Sequence, residues 1–175
     1  MKRLVLLLLA VAVCLGMTAC GPAGKVKLSQ QFRSDEVEFI KHRGANTVWG
    51  SAYLKDRGDG PRTCAGNKVL LVPVTPYSSE RMIAHYGNTR AGYTERNKSF
   101  ENDDPFYLAY TRESVCDEKG RFLFKYVPDG DYFVTSLIVW SGYDPTWRTP
   151  ITNGAALMRA VSVSGGKETN VTLTH

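Results

Sequence analysis

The chain has 175 residues, enough for one ordinary domain. Hydrophobic residues make up 43% and charged residues 22%, which excludes a disordered chain, and 16 Gly, 9 Tyr, 7 Phe and 3 Trp favour strands and turns over a helical bundle. The formal charge is +5, but without Lys2 and Arg3, which lie in a leader, 20 basic residues face 17 acidic ones, and so small a surplus argues against a nucleic-acid binder.

Lys2 and Arg3 open the chain and an apolar run of about a dozen residues follows from Leu4 to Leu15. The run is too short to be a permanent membrane span and has the flanks of a signal peptide. Met17-Thr18-Ala19-Cys20 resembles the lipobox of bacterial lipoproteins. The resemblance implies cleavage before Cys20 and acylation there with diacylglycerol and, usually, an amide-linked fatty acid such as palmitate. Two or three acyl chains give a stable anchor where one is marginal. Gly21 stands where an Asp would signal inner-membrane retention, so the implied address is the bacterial outer membrane, with the domain facing the periplasm or the cell surface. The expected organisation is a signal peptide over 1–19, a lipidated Cys and flexible tether over 20–33, and one folded domain over 34–175.

With Cys14 in the leader and Cys20 lipidated, Cys64 and Cys116 remain. In an oxidising compartment an even pair reads as a disulfide. A metal pair would need histidines nearby, and His42, His85 and His175 stand far off in sequence; there is no C-x-x-C for redox work.

In chain order, 34–41 (SDEVEFIK) predicts a short helix with Val37 and Ile40 on one side. Residues 47–54 alternate Val48, Gly50, Ala52 and Leu54 against Trp49, Ser51 and Tyr53, a half-buried strand. Residues 68–74 (KVLLVPV) read as a strand buried on both faces. Residues 79–86 predict a second short helix with a Ser cap and Gly87 as its stop. Strands follow at 106–111 (Phe106, Leu108, Tyr110 alternating), at 121–127 (Phe122, Phe124 and Tyr126 on one face) and at 132–140, the strongest of all. Pro128-Asp129-Gly130 is a turn in which Pro presets φ and Gly accepts a positive one. The last two strands, 157–163 and 169–173, flank Ser164-Gly165-Gly166-Lys167 as a hairpin signal. Seven strands with little helical pattern predict an all-β, antiparallel β-sandwich with one or two short helices in long loops.

Trp49-Gly50-Ser51-Ala52, the segment from Cys64 to Pro73, the segment from Cys116 to Phe124 and Val127-Pro128-Asp129-Gly130-Asp131-Tyr132 resemble carboxypeptidase regulatory-like domains. The resemblance covers about half the mature chain and is best from Asp117 to Val134. It implies a transthyretin-like (prealbumin-like) seven-stranded sandwich and a non-catalytic accessory module. Such turn-and-strand motifs specify fold far better than function. The stretch 75–104 departs from that pattern.

No catalytic motif is present: no H-E-x-x-H, G-x-S-x-G, P-loop or G-x-G-x-x-G occurs. His42 reads as a solvated basic residue, His85 as a packing or surface residue and His175 as a frayed terminus. The acidic runs 56–60 and 101–104 read as turns rather than calcium loops. Arg57-Gly58-Asp59, the integrin tripeptide, is a weak match in a Gly-rich turn, and a Lys68–Asn170 isopeptide bond is disfavoured because Asn170 points outward. No cofactor and no metal are expected.

The candidate binding surface is the stretch 77–106, where aromatic residues interleave with arginines, together with the exposed Trp147. Its candidate residues are Arg81, Tyr86, Arg90, Tyr93, Arg96 and Trp147. The sequence therefore predicts an envelope lipoprotein whose sandwich is a non-catalytic binding or assembly module. Its expected partners are the membrane, through the lipid, and an envelope protein or polymer, and not nucleic acid. The alternatives are a purely structural tethered domain and a small transthyretin-related hydrolase.

Overall fold

The computed structural model describes residues 25–55, 60–96 and 98–175. The leader, Cys20 and Arg57-Gly58-Asp59 lie outside the described residues. Two β-sheets face each other. The smaller holds β1 (Asn46–Leu54), β2 (Arg62–Thr63), β6 (Arg121–Val127) and β9 (Glu168–Leu173). The larger runs in the order β4 (Ala91–Thr94), β8 (Thr149–Val163), β7 (Gly130–Asp144), β3 (Lys68–Pro73) and β5 (Arg112–Val115). One helix, α1 (Pro76–Tyr86), lies between β3 and β4 in sequence.

The period-two pattern of β1 does what its alternation requires. Val48, Ala52 and Leu54 turn inward with Phe122 and Phe124 of β6 and Val171 and Leu173 of β9. From the larger sheet, Val69 and Leu71, then Tyr132, Val134 and Ile138, then Ala155, Leu157 and Val163 meet them. At about 1.5–3 kcal/mol for each large apolar side chain, this layer is the main source of stability. Gly50 sits where β1 and β9 come closest: a methyl group there would overlap the Val171 carbonyl.

The far face of the larger sheet is covered too. Tyr77 and Met82 of α1 pack with Val72, Phe133 and Met158, which explains why β3 is apolar on both faces. The helix starts earlier than 79–86. Thr75 is its N-cap, accepting from Ser78 N–H at 3.1 Å, while Thr75 N–H donates to Ser78 Oγ at 2.8 Å. Gly87, at φ 76°, ends it. The fold also takes in residues ahead of 34. Val26 bridges to Phe100 and Leu28 is buried, its backbone held at both ends by the Asn102 amide.

Several expectations change. Residues 34–41 form two 3-10 turns, Ser34–Glu36 and Glu38–Lys41, rather than one helix. The 106–111 strand is a 3-10 turn, Tyr107–Tyr110, that buries Tyr107 and leaves Phe106 and Leu108 exposed. The 164–167 turn does not close a hairpin: it carries the chain between sheets, and β9 pairs parallel with β1, Val48 opposite Thr169 and Ala52 opposite Leu173. The true long hairpin is β7–β8, fifteen residues in each strand, paired from Gly130–Val163 to Asp144–Thr149. Tyr126 is exposed rather than facing inward with Phe122 and Phe124, because its φ of 59° and a register shift in the β1–β6 ladder turn it out. Lys68 pairs with Glu113 at 2.9 Å in the larger sheet, while Asn170 is exposed on the smaller one.

Cys64 and Cys116 are bonded, with Cα atoms 5.7 Å apart, and both are buried. Asn46 closes the opposite end of β1. Fully buried, its amide donates to Val127 O at 2.9 Å and Asp129 Oδ1 at 2.7 Å and accepts from Lys167 N–H at 3.1 Å. Asn46→Leu strands these partners without a mate, so urea denaturation should show a loss of about 2–3 kcal/mol.

Candidate functional site

The six sequence candidates do not form one site. Arg81 faces inward from α1: its guanidinium pairs with Asp103 and lies 4.3 Å and 4.6 Å from the ring centres of Phe100 and Tyr107. It holds an aromatic cluster together. Tyr86 is half-buried against Gly92, and burial pushes its hydroxyl up to about 12. Tyr93, on β4, stacks on His175 with centroids 4.8 Å apart, so the expected frayed terminus is instead packed. Arg90 and Arg96 are exposed. Trp147 is 77% exposed at the tip of the β7–β8 hairpin. Tyr93 pairs opposite Leu157, ten residues from that tip, about 30 Å along a strand. The expected 77–106 loop is a helix, a short strand and tight turns, many of whose side chains are used internally. Of the histidines, His42 is exposed, while His85 meets Phe100 edge-to-face with ring centroids 5.1 Å apart, and its pKa is lowered by burial and by the nearby Arg81 charge.

A different surface gathers unused chemistry. The outward residues of the smaller sheet form three rows across β6, β1 and β9. Leu123, Trp49 and Asn170 make the middle row, with Trp49 directly opposite both neighbours in register. Arg121, Ser51 and Thr172 make the row above it. Below it Thr47 lies opposite Glu168, and Lys125 follows along β6. Trp49 is 45% exposed, although its neighbours on the strand, Val48 and Gly50, are buried. The indole therefore lies on an open face beside Leu123, with polar and charged groups in the rows above and below.

At the β6 edge this face is walled by Ser114 and Val115 of β5 and by Asp117. Leu123 N–H donates to Ser114 Oγ at 3.3 Å, which brings the wall against the sheet. The result is an open trough of about 610 Å3 lined by Thr47, Trp49, Ser114, Arg121, Lys125 and Glu168, among others. Asp117 Oδ2 accepts from Arg121 Nε at 2.7 Å, and its Oδ1 accepts from the backbone N–H groups of Lys119 and Arg121 at 2.9 Å each. The disulfide ends at the residue before it, so the wall is tied to the core.

No protein-family model matches the chain, and no curated protein matches it. The chain is similar to a solved structure from Pseudomonas aeruginosa, described as a candidate carbohydrate binding protein. The two are 28% identical, with a TM-score of 0.64, over 83% of this chain and 99% of that one. The β-sandwich is thus shared with a protein described by what it binds.

The trough holds groups suited to a polar, uncharged ligand: an aromatic plane, hydroxyls and an Arg–Asp pair that offers donors and acceptors in fixed positions, and the Asn170 carboxamide stands opposite Trp49 on the same face. The Arg121 guanidinium and the two backbone donors hold the Asp117 carboxyl below the usual aspartate range. The folded chain thus binds that proton less tightly than the unfolded one. The pair favours folding above the ordinary aspartate pKa and stops doing so as pH falls through the lowered one. Because the pair is exposed, solvent keeps the effect small. A carboxyl-carbon NMR titration should place the Asp117 midpoint below about 3.9, and Arg121→Ala should move it back up towards that value.

Proposed function

We propose that this protein is a non-catalytic carbohydrate-binding module of the bacterial envelope, binding glycan on the Trp49 face and anchored by lipid at Cys20. The observation that carries the reading is a half-exposed tryptophan at the centre of an open sheet face, with hydrogen-bonding side chains on the strands around it. A pyranose ring has an apolar C–H face and a rim of hydroxyls. The apolar face loses water favourably against indole, and the rim needs donors and acceptors around it. Trp49 supplies the first requirement. Asn170, Ser51, Thr172, Arg121, Asp117, Lys125 and Glu168 supply the second. The similarity to a solved protein described as a candidate carbohydrate binder supports the same reading.

The anchor rests on the lipobox resemblance. Val26 already takes part in the fold, and the six residue-to-residue steps from Cys20 to Val26 reach at most about 20 Å. A lipid on Cys20 would therefore hold the domain close to the bilayer, at the envelope polymer layer.

The test is gel retardation of purified protein in matrices containing individual polysaccharides, with bovine serum albumin as the unretarded standard. At least one matrix should retard the protein, and Trp49→Ala should abolish the retardation. Retardation that survives Trp49→Ala places binding elsewhere. Separately, Cys20→Ser should leave an uncut, unlipidated precursor on intact-mass analysis; processing unaffected by the substitution contradicts the anchor.

A further inference from the structure

We infer that the ligand is a linear, electrically neutral oligosaccharide bound across at least two subsites, with the Asp117–Arg121 pair at the junction between them. The inference rests on the carbohydrate reading above and adds chain length and charge to it.

A second depression of about 530 Å3 adjoins the Trp49 trough. It is lined by Ala65, Gly66, Cys116, Glu118 and Lys119, and it shares two residues with the trough, Asp117 and Arg121. The two hollows therefore lie on either side of one ion pair. Each falls in the range of small-ligand pockets, so together they offer room beyond a single sugar ring. Both are open surface features, so a chain can run through them and continue past each end. The paired side chains at the junction present a carboxylate and a guanidinium together, suited to hydroxyls of adjacent units.

The second hollow is built on rigid backbone. The Cys64–Cys116 disulfide underlies it. Gly66 N–H donates to Cys116 O at 3.1 Å, Cys116 N–H to Asn67 O at 3.0 Å, and Gly120 N–H to Asp117 O at 2.9 Å. Gly66, at φ 73°, has no side chain to fill the space. A preformed surface costs little ordering on binding, which favours a real contribution from the second subsite.

Charge selects the class of glycan. Around the two hollows stand three cations, Lys119, Arg121 and Lys125, and three anions, Asp117, Glu118 and Glu168. Arg121 is already paired with Asp117 at 2.7 Å. A polyuronate or phosphorylated glycan needs a surplus of cations along its path, and here there is none. A neutral chain meets no such mismatch.

The experiment is isothermal titration of the protein with cellohexaose, xylohexaose and chitohexaose, with the matching disaccharides, and with hexagalacturonate. Ala65→Leu, which places a bulky branched side chain without an aromatic plane in the second hollow from an exposed position, is titrated alongside after its melting temperature is shown to be unchanged. The expected result is at least one neutral hexaose bound tenfold or more tighter than its disaccharide, with Ala65→Leu removing that gain and leaving disaccharide binding intact. Equal affinity for hexaose and disaccharide, or a gain that survives Ala65→Leu, overturns the two-subsite inference and leaves the carbohydrate reading standing. Tightest binding by hexagalacturonate overturns the neutral assignment. No binding by any member overturns the carbohydrate reading and this inference with it.

Discussion

Trp49→Ala should weaken glycan binding at least about thirtyfold and leave the melting temperature nearly unchanged. A central aromatic anchor of an interface contributes about 2 kcal/mol or more when truncated, which corresponds to roughly thirtyfold in affinity. Trp49 is the one aromatic ring in the middle row of the outer face, and its apolar neighbours there, Leu123 and Val115, are aliphatic, so nothing else there replaces its flat apolar plane. Folding is insulated because the core lies on the other side of β1, in Val48, Ala52 and Leu54. Truncation loses cross-strand contact with the neighbours Leu123 and Asn170, each pair worth about 0.2–1 kcal/mol. Trp49→Phe keeps a smaller plane and should fall between the two. Calorimetric titration and circular-dichroism melts on the three proteins check both halves of the expectation. Equal affinity in all three would remove Trp49 from the site.

Replacing both Cys64 and Cys116 by Ala should cost about 4 kcal/mol of stability on the chain-entropy account, because the bridge spans a sequence separation of 52 residues. For a domain of this size that is a fall in melting temperature of about 10 °C. The bridge joins the β2–β3 connection to the end of β5, next to Asp117, so the double variant also loosens the wall that the trough and the second hollow share. The expected pattern is a lower melting temperature together with weaker oligosaccharide binding at temperatures where the variant is still folded. A melting temperature unchanged in the variant contradicts a structural role for the bridge.

The layers of the fold were legible because burial writes itself into alternation. Residues 47–54, 68–74 and 121–127 and the run from 132 announce β1, β3, β6 and β7, and Gly87 announces the end of α1. Other features follow from contacts that sequence spacing does not carry. Nothing local in Glu168–Leu173 says that it pairs parallel with β1 rather than folding back on β8. Phe106, Leu108 and Tyr110 alternate like a strand, but Tyr107 between them is the residue that the aromatic cluster of Phe32 and Tyr77 takes in, and the chain turns to deliver it. Helix propensity in 34–41 is overridden by packing that needs only Val37 and Ile40 buried, which two short turns achieve.

The candidate site was present in the sequence in one respect: alternation in 47–54 already set Trp49 opposite the buried face. Its significance was hidden because a tryptophan in a strand usually serves the core. Its partners Arg121, Lys125, Glu168 and Asn170 come from strands far away in sequence. The arginine-rich stretch drew attention instead, yet Arg81 satisfies its charge on Asp103 and its plane on three rings within the fold. Composition marks where interface-like residues are abundant. Only three-dimensional placement tells which of them are already used.

The most direct measurement is a two-dimensional NMR titration of the tryptophan indole N–H groups with a bound neutral oligosaccharide. The chain has three tryptophans, and they report on three places: Trp49 on the open face, Trp140 half-buried under the Arg62 guanidinium 5.1 Å away, and Trp147 on the hairpin tip. Single Trp→Phe variants assign the signals. A saturable shift of the Trp49 signal, with Trp140 and Trp147 still, is the predicted result. A shift of Trp147 alone, or binding that moves none of the three, contradicts it.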